Sequence, residues 1–408
     1  MTTITSHPSL RGRAPDAASS EIRVGRRFAI VGESTTTFWI LAILVGVLNL
    51  FGLVMVMSAG SVDSVRNSDA PWSYFQKQLM WTALGVVALL GALSVSVHFW
   101  RRFAKIAMLG SIGLLILVKV PGVGITRNGA TRWLGAGPLQ FQPSELVKLA
   151  LLLFVADLMD RRSEHIDNWR LVLAPVTGYL VVVAGLIMLQ PNLGTTIIIA
   201  SIVLMMLFIG GARLMPLAAI AAIGTAIAAS FIAFADFRRN RFLSFLNPWA
   251  DPFKNGLQNV QSLVGMANGG ILGKGLGRST AKWGFLPFAH TDFIFAVIAE
   301  EFGLLGAMTI VALFVSLGVT GWIVALRAAD RFSMLVATGI TTWLLVQALM
   351  NIGAATGAMP ITGVPLPFIS FGGSSQLISL AATGILLNVA RHPSPDPLRV
   401  RLTRTKKP

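Results

Sequence analysis

Ten apolar runs alternate with polar segments along the chain, at about 37–58, 79–97, 104–119, 143–159, 171–189, 194–211, 214–235, 291–325, 333–355 and 371–390. Crossing a hydrocarbon layer of about 30 Å takes roughly 20 residues of helix, so these runs predict membrane spans. The eighth is long enough that its helix is expected to bend or to extend past the membrane. The pattern divides the chain into a polar tail over 1–36, expected to be disordered and cytoplasmic, a ten-helix membrane domain over 37–391, and a short basic tail over 392–408. A large polar loop, 236–290, separates the seventh and eighth runs.

Composition agrees with this division. Of 408 residues, 54% are hydrophobic and only 12% charged, about half the charged share of a soluble domain, and the mean hydropathy is +0.72. The expected fold class is therefore an all-α polytopic membrane protein. There is no cysteine, which excludes disulfides, thiol nucleophiles and cysteine-ligated metals. The five histidines, His7, His98, His165, His290 and His392, form no ligand-spaced pair, so no structural zinc site is expected. Arg26-Arg27 is followed by no short apolar stretch with a cleavage site and reads as a topogenic charge cluster rather than a signal.

Charge gives the orientation. The net charge is +16, and most of the excess falls on one side of the alternating spans: Arg101, Arg102 and Lys105, then Arg161, Arg162 and Arg170, then Arg213, Arg327, Arg331 and the basic C-terminal tail. Cytoplasmic loops carry such an excess, so both termini are expected in the cytoplasm. Nucleic-acid binding is a poor reading, because no basic soluble domain exists to carry it. Two outer segments run against the bias. Loop 236–290 holds Arg238, Arg239, Arg241, Lys254, Lys274, Arg278 and Lys282 against Asp236 and Asp251, and loop 120–142 adds Arg127 and Arg132. An anionic substrate such as a pyrophosphate would compensate these cations; attraction to anionic lipid headgroups is the alternative. No internal repeat of the kind found in secondary transporters is visible.

Several polar residues stand where they carry chemistry or routine structure. Asp292 ends the loop Pro287-Phe-Ala-His290-Thr291-Asp292 before an apolar helix. It reads either as a helix cap or as a partly buried carboxylate of raised pKa acting as a general base. Glu300 and Glu301 lie about 12–13 Å deeper on the same helix and are expected to be structural, bonded to neighbouring helices or to a cation. Glu145 and Lys148 share one face of another helix, opened by Pro143, and form a self-neutralising pair or line a cavity. The segment Gly269-Gly-Ile-Leu-Gly-Lys274-Gly-Leu-Gly277 lacks both the spacing and the preceding strand of nucleotide-binding loops; it reads as a compact loop whose backbone approaches a ligand closely. Ser370, Ser374 and Ser375, in a proline- and glycine-punctuated segment, read as caps of the last helix, whose N-terminus can also hold an anion.

The blocks Gly129-Ala-Thr-Arg-Trp133, Phe141-Gln-Pro-Ser-Glu145 with Lys148, Gln190-Pro-Asn-Leu-Gly-Thr195, His290-Thr-Asp-Phe-Ile-Phe295 with Glu300-Glu-Phe-Gly303, and Gly363-Val-Pro-Leu-Pro-Phe-Ile-Ser-Phe-Gly-Gly-Ser-Ser375 together resemble the SEDS family, in the right order over about residues 37–391. Asn247-Pro-Trp-Ala-Asp-Pro-Phe253, with Gln258 and Gln261-Ser262-Leu263, is similar to the family's division members rather than its elongation members. The resemblance implies a ten-helix polymerase of lipid II, similar in fold to membrane glycosyltransferases with polyprenyl-linked donors. It implies action beside a class B penicillin-binding protein and other division proteins, in the bacterial cytoplasmic membrane at the septum.

The family's essential aspartate maps onto Asp292, and its acid and lysine at the start of the fourth helix onto Glu145 and Lys148. The expected reaction is inverting transfer, with undecaprenyl pyrophosphate leaving. Arg127, Arg132, Arg241, Lys274 and Lys282 are candidates to hold the pyrophosphate, and a divalent cation, magnesium or manganese, is a candidate cofactor. Gln261, Ser262, His290, Thr291, Ser370 and Ser374 complete the candidate substrate-binding set. The chain departs from the family at Phe288, where an acid is usual, at Asn192, where an aspartate is usual, and at Phe371, where a tyrosine is usual. The competing readings are a lipid II flippase with a charged path through Glu145, Lys148, Glu300 and Glu301, and a non-enzymatic scaffold of the division machinery.

Overall fold

The computed structural model describes residues 35–393, apart from 67–69, 128, 138, 167 and 235. The expected tails lie outside the described residues, except next to the helical bundle. In chain order the helices are α1 (Thr36–Arg66), α2 (Ser73–Ser94), α3 (Val97–Leu117), α4 (Pro143–Arg161), α5 (Ala174–Met188), α6 (Leu193–Ile209), α7 (Leu214–Ala233), α8 (Asp236–Leu246), α9 (Leu257–Gly269), α10 (Ile294–Leu326), α11 (Arg331–Ala355) and α12 (Gly373–Arg391). Each predicted apolar run falls on one of these helices. Seven are long and apolar enough to cross a membrane by length and composition alone, α5 only together with the π-helical turn Trp169–Leu173 that leads into it. The other three fall short for evident reasons: α6 is apolar but has 17 residues, α3 carries Arg101, Arg102 and Lys105, and α4 carries Glu145, Lys148, Asp157 and Asp160.

Burial ranks the helices. The apolar windows of α11 and α12 are 78% and 83% buried, that of α7 only 6%, so α11 and α12 form the centre and α7 the rim. Around the centre, α2 and α1 pack on α12, α10 on α11 and α1, α4 and α6 on α11, and α3 on α4. Some polar side chains inside the bundle join one helix to another, where a low dielectric favours such bonds. Gln376 of α12 donates to Asn49 of α1, and Asn388 donates to the carbonyls of Leu93 and Val95 at 2.7 and 2.8 Å, fastening α12 to the end of α2.

Three elements differ from the sequence expectation. First, α1 continues through polar residues to Arg66; the hydroxyls of Ser61 and Ser64 are satisfied within the helix by the carbonyls of Ser58 and Gly60, and Ser58 and Ser64 are buried. Second, the 120–142 segment contains an antiparallel three-stranded sheet, β1 (Ile125–Arg127), β2 (Ala130–Ala136) and β3 (Leu139–Phe141), in the order β1-β2-β3. Third, loop 236–290 holds α8 and α9.

The expected bend in α10 lies at Gly303, whose φ of 69° and ψ of −168° leave the helical region. The glycine-rich loop after α9 inserts there. The amides of Leu304 and Leu305 donate to the carbonyls of Gly270 and Ile271 at 2.9 and 3.2 Å, and the amides of Lys274 and Gly275 donate to the carbonyls of Glu300 and Glu301 at 3.0 and 2.9 Å. The loop whose backbone was expected to approach a ligand thus approaches the opened turn of its own neighbouring helix, and satisfies the groups that the break exposes. A side chain at Gly303 would collide with the Ile271 carbonyl and the Gly273 nitrogen. Gly303→Ala is therefore expected to lower thermal stability by at least about 1–3 kcal/mol. Gly46→Ala, where an added methyl meets nothing within 4 Å, should be neutral or slightly stabilising; thermal unfolding of both variants in detergent checks this.

Candidate active site

Asp292 sits in a turn built on one carbonyl. Phe288 adopts φ of 60°, and its oxygen accepts from the amides of Thr291, Asp292 and Phe293 at 3.1, 3.1 and 3.3 Å. Aspartate takes this left-handed conformation more readily than phenylalanine, which accounts physically for the acid expected at position 288. The capping reading of Asp292 does not hold: α10 begins at Ile294, and no side chain caps it. Asp292 is held through its own carbonyl, which accepts from Nδ2 of Asn351 at 2.9 Å; the same nitrogen donates to the Val364 carbonyl at 2.8 Å. Gly363, with φ of 70°, faces the carboxylate, and a methyl there would stand 3.6 Å from Oδ2.

The surroundings of this carboxylate come from distant parts of the chain. Arg132 of β2 and Arg241 of α8 both lie within electrostatic reach of it. Arg132 is braced against the α5–α6 turn, its Nε donating to the Gln190 carbonyl at 2.7 Å and its Nη2 to that of Pro191. Burial pushes the Asp292 carboxyl up to about 6, against the downward pull of Arg241, Arg132 and the Thr291 hydroxyl. His290 contacts Asp63 of α1 at 3.6 Å and packs on Tyr74 at 4.5 Å between ring centroids; burial lowers its pKa, with Asp63 opposing.

Ser370 and Ser374 are not caps. The residue before α12 is Gly372, and no side chain caps the helix. Ser370 Oγ donates to the Thr291 carbonyl at 2.6 Å and accepts from the Leu366 amide at 2.8 Å, tying the 360–375 segment to the turn that carries Asp292. Ser374 Oγ accepts from the amide of Gln142 at 3.2 Å, just before α4. One turn into α4, Glu145 and Lys148 form a buried ion pair of 2.9 Å. Lys148 also donates to Gln347 at 2.9 Å and lies over the Trp343 ring at 4.5 Å. Gln347 in turn donates to the Pro365 carbonyl at 2.9 Å.

The other candidates lie elsewhere. Lys274 pairs with Glu300 at 2.8 Å, and Lys282 with Glu301 at 2.9 Å. Glu300 also accepts from the hydroxyls of Ser279 and Thr280, both at 2.6 Å, and Glu301 from Ser58 of α1 at 2.7 Å. Two cations of loop 236–290 are thus compensated by helix carboxylates. Ser262 donates to the Ala355 carbonyl at 2.7 Å and joins α9 to α11; Gln261 is half-buried beside it. Arg127 is exposed and lies 5.9 Å from the Trp133 ring. Asn192 caps α6, accepting from the Thr195 amide at 3.2 Å, a role aspartate would fill equally.

A divalent-cation cage is not formed: among the described residues no group of three or more His, Asp or Glu is placed to hold a metal, and the nearby charges named for Asp292 are arginines. The residues that sequence reasoning missed are Asn351, Gln190, Gly363 and Asp63. Asn351 had a signal, as an amide inside an apolar span.

The model of the cell cycle protein family that unites FtsW, RodA and SpoVE matches residues 38–394. The chain belongs to the SEDS family. Among its SEDS relatives, stage V sporulation protein E of Bacillus subtilis is 38% identical over 360 residues, covering 88% of this chain and 98% of that one. A probable peptidoglycan glycosyltransferase FtsW of Geobacter metallireducens is 39% identical over 343 residues, covering 84% and 92%. The solved structures agree. A chain from a peptidoglycan synthase complex that coordinates polymerization and crosslinking superposes with a TM-score of 0.72 at 31% identity, covering 86% of this chain and 97% of that one. The rod shape determining protein RodA of Thermus thermophilus superposes with a TM-score of 0.66 at 28% identity, covering 88% and 98%. The chain thus shares the mostly helical membrane-protein fold of these SEDS proteins, with the small sheet β1–β3 as the departure from an all-α expectation.

The buried pairs give a test of structural against ligand-binding roles. Removing one partner of a buried ion pair costs about 3–5 kcal/mol. Lys282→Met is expected to lower thermal stability by that order, and Lys282→Met with Glu301→Gln to recover a large part of it. A pair of stable variants with weakened substrate binding would instead assign Lys282 to the ligand.

Proposed function

We propose that this chain is a peptidoglycan glycosyltransferase that polymerises lipid II during septal wall synthesis, with Asp292 as its general base. The observation that carries the reading is a half-buried carboxylate, free of any capping role, facing arginines from two separate outer elements. Asp292 takes the proton of the C4 hydroxyl of the acceptor lipid II sugar as that oxygen attacks C1 of the growing glycan. The new O4–C1 bond forms as the C1–O bond to undecaprenyl pyrophosphate breaks. Inversion at C1 in one displacement requires no covalent sugar–enzyme intermediate. Arg132 and Arg241, both within electrostatic reach of Asp292, are the cations for the negative charge gathering on the leaving phosphate.

The family membership and the relatives named for this activity support the polymerase. The transport alternative loses support, because Glu145, Lys148, Glu300 and Glu301 each have a partner within the protein. The partner in this reading is a class B penicillin-binding protein, in keeping with the likeness to a subunit of a peptidoglycan synthase complex. The charge pattern supports cytoplasmic termini, with β1–β3, α8 and α9 outside. The division role, rather than elongation, rests on the Asn247–Phe253 and Gln258–Leu263 segments.

The deciding assay is glycan polymerisation from purified lipid II in the presence of the cognate penicillin-binding protein. Asp292→Asn is expected to lose about 10²–10⁴-fold in rate while still folding and binding its partner; an unchanged rate would remove Asp292 from the chemistry. A base must be deprotonated, so the wild-type rate should rise with pH through about 6 and level off above it. Arg241→Gln removes a cation that favours the charged carboxylate and should move that limb to higher pH.

A further inference from the structure

At the far end of α4 from Glu145, about 24 Å along the helix, a cavity of about 330 Å³ opens between α3, α4 and α5. That volume is within the range of small-ligand sites, roughly 300–1,000 Å³. Its wall has two characters. Met108, Phe154 and Leu158 make an apolar side, and Lys105, Arg161 and Arg162 a cationic side. Tyr179 also lines the cavity, its ring on Phe154 at 4.5 Å.

Among the described lining residues, cations outnumber acids. Asp157 is buried and bonded to both Arg101 and Arg161 at 2.8 Å, and Asp160 bonds Arg101 at 2.7 Å. Two acids therefore meet two arginines, and the remaining lining cations are Lys105 and Arg162. Lys105 has no ion-pair partner among the described residues, and Arg162 is directed by a hydrogen bond to the Leu171 carbonyl. On the lipid side the flank is apolar and open, with Ile106 and Leu109 66% and 67% exposed. A soluble anion would have no use for that flank or for the apolar wall. A basic pocket between membrane helices with lateral access suits an acidic lipid headgroup with its chain alongside.

We propose that this cavity is a binding site for an anionic phospholipid. Its phosphate lies against Lys105 and Arg162 within reach of the Tyr179 hydroxyl, and one acyl chain follows Met108, Leu109 and Leu158 out to the bilayer. The site is separate from Asp292 and its occupant is not the polymerised substrate, so the proposal stands whether or not the enzymatic reading does.

The test is native mass spectrometry of the full chain released from phosphatidylcholine nanodiscs containing graded fractions of phosphatidylglycerol. The wild type is expected to retain one phosphatidylglycerol at fractions where phosphatidylcholine is shed. Lys105→Gln, at an exposed position, should weaken retention several-fold and Lys105→Glu about tenfold or more, since each cation near an anionic headgroup contributes on the order of 1 kcal/mol. Leu158→Trp, which fills the apolar half and leaves the cations in place, should also release the lipid. Thermal unfolding in phosphatidylcholine alone shows whether each variant is folded. Equal retention by wild type and Lys105→Glu, retention of phosphatidylcholine to the same degree, or displacement of phosphatidylglycerol by millimolar inorganic phosphate would each overturn the proposal, the last by making the site one for a soluble anion.

Discussion

Two adjacent carboxylates inside an apolar helix are the constraint around which α1, α10 and the 270–282 segment are arranged. Glu300 and Glu301 stand two turns into α10, where an unpaired charge costs several kcal/mol. Residues on neighbouring positions of a helix point about 100° apart, so no single partner helix can neutralise both. The fold answers by bringing the 270–282 segment down to the helix, with Lys274 on one acid and Lys282 on the other. That approach is possible only because α10 breaks at Gly303, where the incoming glycine-rich backbone takes the place of the missing turn. Ser58 then binds the same cluster to α1, so one electrostatic requirement locks three regions of the chain together.

The site around Asp292 inherits its geometry from that arrangement. α10 begins where the turn on Phe288 ends, and the turn is held from one side by Ser370 and from the other by Asn351. Neither contact touches the carboxylate. Both act on backbone carbonyls of Thr291 and Asp292, which orients the side chain while leaving its oxygens to Thr291, Arg132 and Arg241.

The helices were legible in the sequence because long apolar runs have few alternatives in a chain with 12% charged residues. The bend in α10, the need of Glu300 and Glu301 for partners and the candidacy of Asp292 were legible for the same reason, since a charge or a glycine inside an apolar span stands out. What was not legible lay where local rules are degenerate. A hydroxyl just before a helix reads as a cap, yet Ser370 and Ser374 bond to distant backbone instead. A glycine-rich loop looks alike whether its amides face a ligand or a broken helix. Strands of three residues such as β1 and β3 carry no usable alternation, so the sheet that delivers Arg132 could be seen only as a basic loop. Excess cations on the outer loop read as a call for an anionic substrate, although part of the answering charge comes from within the protein.

Asn351 and the arginines act on Asp292 from mechanically different places. The amide that fixes Asp292 belongs to α11, most of whose span is enclosed by other helices. The guanidinium groups that hold its proton affinity down ride on a small sheet and on α8, next to the least enclosed helix of the bundle. The backbone that carries this carboxylate is therefore held at the centre while its electrostatic setting depends on parts at the periphery. A displacement of the sheet or of α8 changes the basicity of this carboxylate without acting on the contacts that hold its backbone, a rheostat separated from the element it controls.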